Sequence, residues 1–168
     1  VGAGGQVSLY LSAGASHVIV DVLGWFTASD ASSALTPARV ADTRAGATTV
    51  DGQSAGTGAL HVGSTMQLTV TGRGSVPSTG VGAVVLNVTA VQPTATTFMT
   101  VFPSNTLRPT ASNLNPVAGR TTANLVVVPV GPAGAVSIYL QAGAAHVVVD
   151  VLGWFAGTPT AGTVPNIP

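Results

Sequence analysis

Twenty-one glycines and eleven prolines are spread along this chain of 168 residues, too often for long helices to form between them. Val, Thr, Ser and Ala fill most of the remaining positions, while Glu and Lys are absent altogether. β-Branched residues fit a pleated sheet, and the strong helix formers that would compete are scarce. The fold class expected is therefore all-β.

The acids are all Asp (21, 30, 42, 51, 150) and the bases all Arg (39, 44, 73, 108, 120), with a net charge of zero. Charged residues make up 6% of the chain, against about a quarter in ordinary soluble domains. No basic face exists to neutralise phosphates, which argues against nucleic acid as a partner. No apolar run approaches the roughly 20 residues needed to span a bilayer as a helix, so membrane insertion is not expected. The chain has no cysteine, which excludes disulfides, thiol catalysis and thiolate metal sites.

Comparing the two ends gives the domain organisation. VGAGGQVSLYLSAGASHVIVDVLGWF (1–26) aligns without gaps on VGPAGAVSIYLQAGAAHVVVDVLGWF (130–155), with 19 of 26 positions identical at an offset of 129 residues. A tandem repeat of about that period follows. Residues 1–26 read as the closing hairpin of one unit, 27–36 as a linker, 37–155 as one complete unit, and 156–168 as a second linker. An isolated hairpin is barely stable in water, so 1–26 is expected to pack on the complete unit or to add to another copy of the repeat. The second route leads to dimers or filaments.

Within the unit, strands are expected at 66–72, 83–93, 97–103, 121–130, 135–140 and 145–155. The turn around Thr94–Thr96 and the GPAG stretch at 131–134 each predict a hairpin. Several short strands at this spacing predict an antiparallel β-sandwich, jelly-roll-like, with a β-trefoil or a β-barrel as alternatives.

The stretches TPARVADTRAG, GVGAVVLNVTAVQPTATTFMTVFPS, RPTASNLN, TTANLVVVPVGPAGAVSIYLQAG and HVVVDVLGWF together resemble a repeat domain of large secreted or cell-wall-associated actinobacterial surface proteins. The resemblance covers residues 36–155 and is carried by an opening motif (Arg39, Asp42, Thr43, Arg44) and a closing one (Asp150, Gly153, Trp154, Phe155). It implies a secreted, extracellular module at the cell surface. It implies no activity, ligand or cofactor.

Asp150 lies in the middle of a valine run, where a carboxylate without partners would cost several kcal/mol, roughly. In an unbroken strand His146, Val148, Asp150, Leu152 and Trp154 share one face. The expectation is an ion pair with Arg39 or Arg44, beside Asp42, fastening the first segment of the unit to its last strand. His17, His61 and His146 are not at ligand spacing within one unit, so no metal site is expected. No G-x-S-x-G elbow or convergent acid/base pair is present, and no enzyme is expected. A binding module for carbohydrate or cell wall is the alternative function. It would use Trp154, Tyr139, Asn113, Asn115, Asn124 and Gln141, although Trp154 suits a plug at the end of the sandwich equally well. The sequon Asn87-Val-Thr89 falls in an expected strand, where it reads as coincidence.

Overall fold

The computed structural model describes residues 32–160 together with residues 6, 9, 11 and 13–15. The expectations for the 1–26 segment therefore lie outside the described residues, as do His17 and residues 161–168. The chain divides into two compact units, Val1–Asp30 and Ala31–Pro168. That boundary falls inside the stretch read as a linker.

Eight strands build the second unit: β1 (Ser32–Asp42), β2 (Leu60–His61), β3 (Thr65–Thr69), β4 (Val81–Val91), β5 (Met99–Pro103), β6 (Thr122–Pro129), β7 (Ala135–Leu140) and β8 (Ala144–Ala156). They form two antiparallel sheets. The larger has the order β1-β8-β4-β6, with β2 also paired to β8, and the smaller has the order β3-β7-β5. Both sheets are open, so the architecture is a β-sandwich and neither a closed barrel nor a trefoil. No helix among the described residues is long and apolar enough to cross a membrane.

The core lies between the sheets. Val84, Leu86 and Val88 of β4 and Val147, Val149 and Val151 of β8 meet Leu68 of β3, Met99 of β5, and Ile138 and Leu140 of β7 in one buried cluster. β4 alternates buried and half-buried positions along its whole length, as a strand with one face on the core must. β5 and β7 do not alternate, because residues beyond β5 fold over their outer face. Thr100 Oγ1 donates to the Ala111 carbonyl at 2.8 Å, Gln67 Nε2 to Asn105 Oδ1 at 3.3 Å, and Arg108 stacks on Tyr139.

Three expectations are corrected. First, residues 32–36 are not linker: Ser32, Ser33 and Ala34 pair with Phe155, Trp154 and Gly153. Their small polar character fits an edge strand as well as a linker.

Second, neither expected hairpin forms. β4 already has β8 on one edge and β6 on the other, so β5 crosses to the opposite sheet, and β7 likewise leaves β6. The 92–98 connection is anchored instead to the turn between β7 and β8. The Thr94 and Thr97 hydroxyls accept from the Ala144 and Ala142 amides, each at 2.8 Å. Gly143 in that turn has φ +69°, and a Cβ there would meet Thr94 Oγ1 and Ala95 Cβ at 2.8 Å. Residues 130–155 are thus not a hairpin but the central strands of two different sheets.

Third, the face assignment of β8 fails beyond Asp150. The register with β4 slips between Leu86↔Val151 and Val85↔Gly153, leaving Leu152 as an extra residue. A bulge of one residue reverses which side the following side chains take. Trp154 therefore stands opposite Val84 and packs against the core.

Leu86→Ala should lower stability by about 2–5 kcal/mol, whereas Leu125→Ala, on the exposed face of β6, should change it by no more than about 0.5 kcal/mol. Urea unfolding of the two variants measures both.

Candidate functional site

Asp150 projects from the outer face of the larger sheet, directly opposite Arg39 on β1 and Asn87 on β4. The Arg39 guanidinium donates to it twice, Nε to Oδ1 at 2.9 Å and Nη2 to Oδ2 at 3.4 Å. Arg39 Nη1 also reaches Asp42 Oδ2 at 3.3 Å. Asp42 in turn accepts from Arg44, Nε to Oδ1 at 2.9 Å and Nη2 to Oδ2 at 2.6 Å. Asp150, Arg39, Asp42 and Arg44 thus form a row of alternating charges along the seam between β1 and β8.

Arg39, rather than Arg44, is the partner of Asp150. The deeply buried carboxylate is not Asp150, whose side chain is 22% exposed, but Asp42, at 1%. The outer face carries no second layer over Asp150, so water reaches it. Hydrogen bonding from Arg44 holds the Asp42 carboxyl below its ordinary value, against the opposing effect of burial. The hydrogen bond to Asp150 raises the Arg39 guanidinium, again against desolvation.

A second ion pair is buried more completely. Arg73, in the loop after β3, is 4% exposed in its side chain and donates to Asp51 through Nε (2.7 Å) and Nη2 (2.8 Å). The same guanidinium reaches the carbonyls of Val40 on β1 (2.7 Å), Thr69 on β3 (2.9 Å) and Gln53 (3.1 Å). β1 edges one sheet and β3 the other, so Arg73 closes one open side of the sandwich and suspends the 43–59 loop across it. Asp51 is lowered to about 2, chiefly by its hydrogen bond from Arg73. Sequence reasoning missed this pair. Its signal was the short inventory of charges, because Arg73 and Asp51 were left without a role.

The residues considered for glycan binding do not converge. Asn113 Oδ1 accepts from the Val101 amide of β5 at 2.7 Å, and its carbonyl accepts from Asn124 Nδ2 of β6 at 2.7 Å. These amides fasten the opposite open side, β5 to β6. The face of Tyr139 is covered by Arg108, whose guanidinium carbon lies 4.2 Å from the ring centre. Its hydroxyl donates to Gln141 Oε1 at 2.8 Å. Trp154 faces the core. Asn115, Asn124 and Gln141 are exposed, and the last two are already bonded within the fold.

His146 lies 3.1 Å from Thr43 Oγ1, which also accepts the Val147 amide at 2.9 Å. The histidine is thus bound to a hydroxyl. His61 ends β2 in a turn closed by Ser64. Among the described residues no three His, Cys, Asp or Glu side chains are grouped to hold a metal ion. The hollow lined by Arg39, Asp42, Arg44 and residues 45–48 carries two guanidinium groups and one carboxylate. Its guanidinium groups are already bonded to carboxylates.

Comparison with known proteins gives no matching family model, no matching curated protein and no matching solved structure.

Arg73→Met should destabilise the unit by about 3–5 kcal/mol, since it strands a carboxylate and three carbonyls. Arg39→Ala, at an exposed pair, should cost no more than about 1 kcal/mol. Asp51 has a folded value of about 2 against its ordinary 3.8. Its contribution is therefore complete above about pH 4 and disappears as pH falls toward about 2. Asp51→Asn should flatten stability against pH in that window, as followed by denaturant midpoints at stepped pH.

Proposed function

We propose that this chain is a non-enzymatic, extracellular structural or adhesive repeat module of a bacterial surface protein, with further copies of the same repeat as its partners. The observation that carries this reading is the near-identity of 1–26 and 130–155 at an offset of 129 residues. A sequence that repeats a whole strand pair from the centre of a sandwich belongs to an array of sandwiches.

The chemistry of the described unit supports the same reading. All three of its acids are bonded to arginine: Asp42 and Asp150 to Arg39, Asp42 also to Arg44, and Asp51 to Arg73. Groups needed for acid–base catalysis stand free near a reacting atom; these hold strands and loops together. Asn113, Asn124, Gln141 and the tyrosine that a glycan would need are likewise bonded within the fold. A chain without lysine, whose buried Arg73 is withheld from solvent, also offers few points to trypsin-like proteases, which suits an exposed location.

The test is co-sedimentation of the purified chain with insoluble peptidoglycan, chitin and cellulose, together with assays for turnover of the same polymers. Retention and turnover should both match those of an unrelated neutral protein. Retention lost on Tyr139→Ala would replace the structural reading with the carbohydrate-binding one. Polymer hydrolysis would replace it with an enzyme.

A further inference from the structure

We propose that residues 32–38 are a strap that peels reversibly from β8 under tension while the remainder of the unit stays folded. The inference rests on the register of β1 and does not depend on the surface-module reading.

β1 changes character at Arg39. None of residues 32–39 is buried, whereas Val40, Ala41, Asp42 and Thr43 are all at or below 1% exposure. The outer part is attached to β8 by the pairs at Ser32, Ser33 and Ala34, after which the ladder breaks until Ala38. In that break Leu35, Thr36 and Pro37 face the single residue Leu152, and Pro37 has no N–H to donate. Leu35 and Ala38 touch the core from its rim only.

From Arg39 onward the strand is gripped on both sides. The Asp150–Arg39–Asp42–Arg44 row holds it to β8. The Val50 amide donates to the Arg39 carbonyl at 2.9 Å, Arg73 to that of Val40, and the Thr43 amide to that of Val147 at 3.0 Å. A zipper opened at Ser32 therefore meets a stop at Arg39.

The direction of load favours that opening. Ser32 lies directly opposite Phe155, so the chain enters and leaves this unit at neighbouring points. Tension pulls such strands apart one pair at a time from one end, instead of shearing all pairs together. The departing side is fixed: the Gly157 amide donates to the Gly80 carbonyl at 3.0 Å and that of Thr160 to Val130 at 2.8 Å. Residues 32–38 carry no such backbone bond, among the described residues, beyond their pairing with β8. Peeling frees seven residues, about 23 Å of chain at roughly 3.3 Å each, and moves the point of attachment from beside Phe155 to beside Asp150.

Hydrogen exchange on the full chain tests the strap directly. The amides of residues 33–36 and 38 should exchange by a local opening, far ahead of those of 40–43 and 147–151. Gly153→Ala places a Cβ 2.9 Å from the Ser33 carbonyl oxygen. It should remove the remaining protection of 33–35 and leave that of 40–43 intact. Because the chain has no cysteine, Ala31→Cys and Thr158→Cys provide unique handles for single-molecule pulling. A reversible lengthening of at least about 23 Å should precede unfolding, and in Asp150→Asn the two events should move closer in force. Exchange of 33–38 in step with 40–43, or a single all-or-none rupture, would overturn the proposal.

Discussion

A sandwich of two open sheets has two sides at which its core would meet water, and Arg73 governs one of them. Its single guanidinium spans the gap between β1 and β3, satisfying carbonyls in both sheets while its charge is met by Asp51. Burying a cation is costly, and it is tolerated here because every donor finds an acceptor. The loop from residue 43 to 59 depends on that bond set for its position, and the Asp42 amide and carbonyl bind the same loop at Ser54 and Gly56. The opposite side is closed without charge, through Asn113 and Asn124. Three different solutions thus coexist: a buried ion pair, an amide latch, and the half-exposed charge row at the β1–β8 seam.

The three differ in what they contribute. The outer row ending at Asp150 is well formed but wetted, and exposed pairs contribute little because water competes for both partners. Its value is positional, since it fixes the register of β1 beyond the Pro37 break. The inner pair lies where water does not compete, so losing either member leaves a group with nothing to bond. Valine-rich sequence on either side of an acid drew attention to Asp150, yet the more consequential charge is Arg73, set between two glycines with no apolar run around it.

Much of the fold was legible because it depends on local pattern. Six of the eight strands follow from alternation or valine runs, and the Arg39–Asp150 pair follows from the need of a strand-borne acid for a guanidinium. What was not legible depends on distant sequence. Whether β4 turns back onto β5 is decided by β6 and β8, which occupy its two edges. Whether Trp154 faces outward is decided by the slip at Leu152, which nothing in VDVLGWF announces. Residue type alone suggests sugar binding, whereas Asn113, Asn124 and Tyr139 are engaged through the 104–121 loop and Trp154 by the core. The small and polar residues that open β1 look like connecting chain, and β2 is only two residues long.

The place of β8 in the larger sheet has a consequence for how the unit is made. It is the last strand in sequence, yet β1, β2 and β4 all hydrogen-bond to it. Until it leaves the ribosome, β1 and β2 have no neighbour and only the β4–β6 pair of that sheet can form. Such a unit stays open through most of its synthesis and closes in one late step.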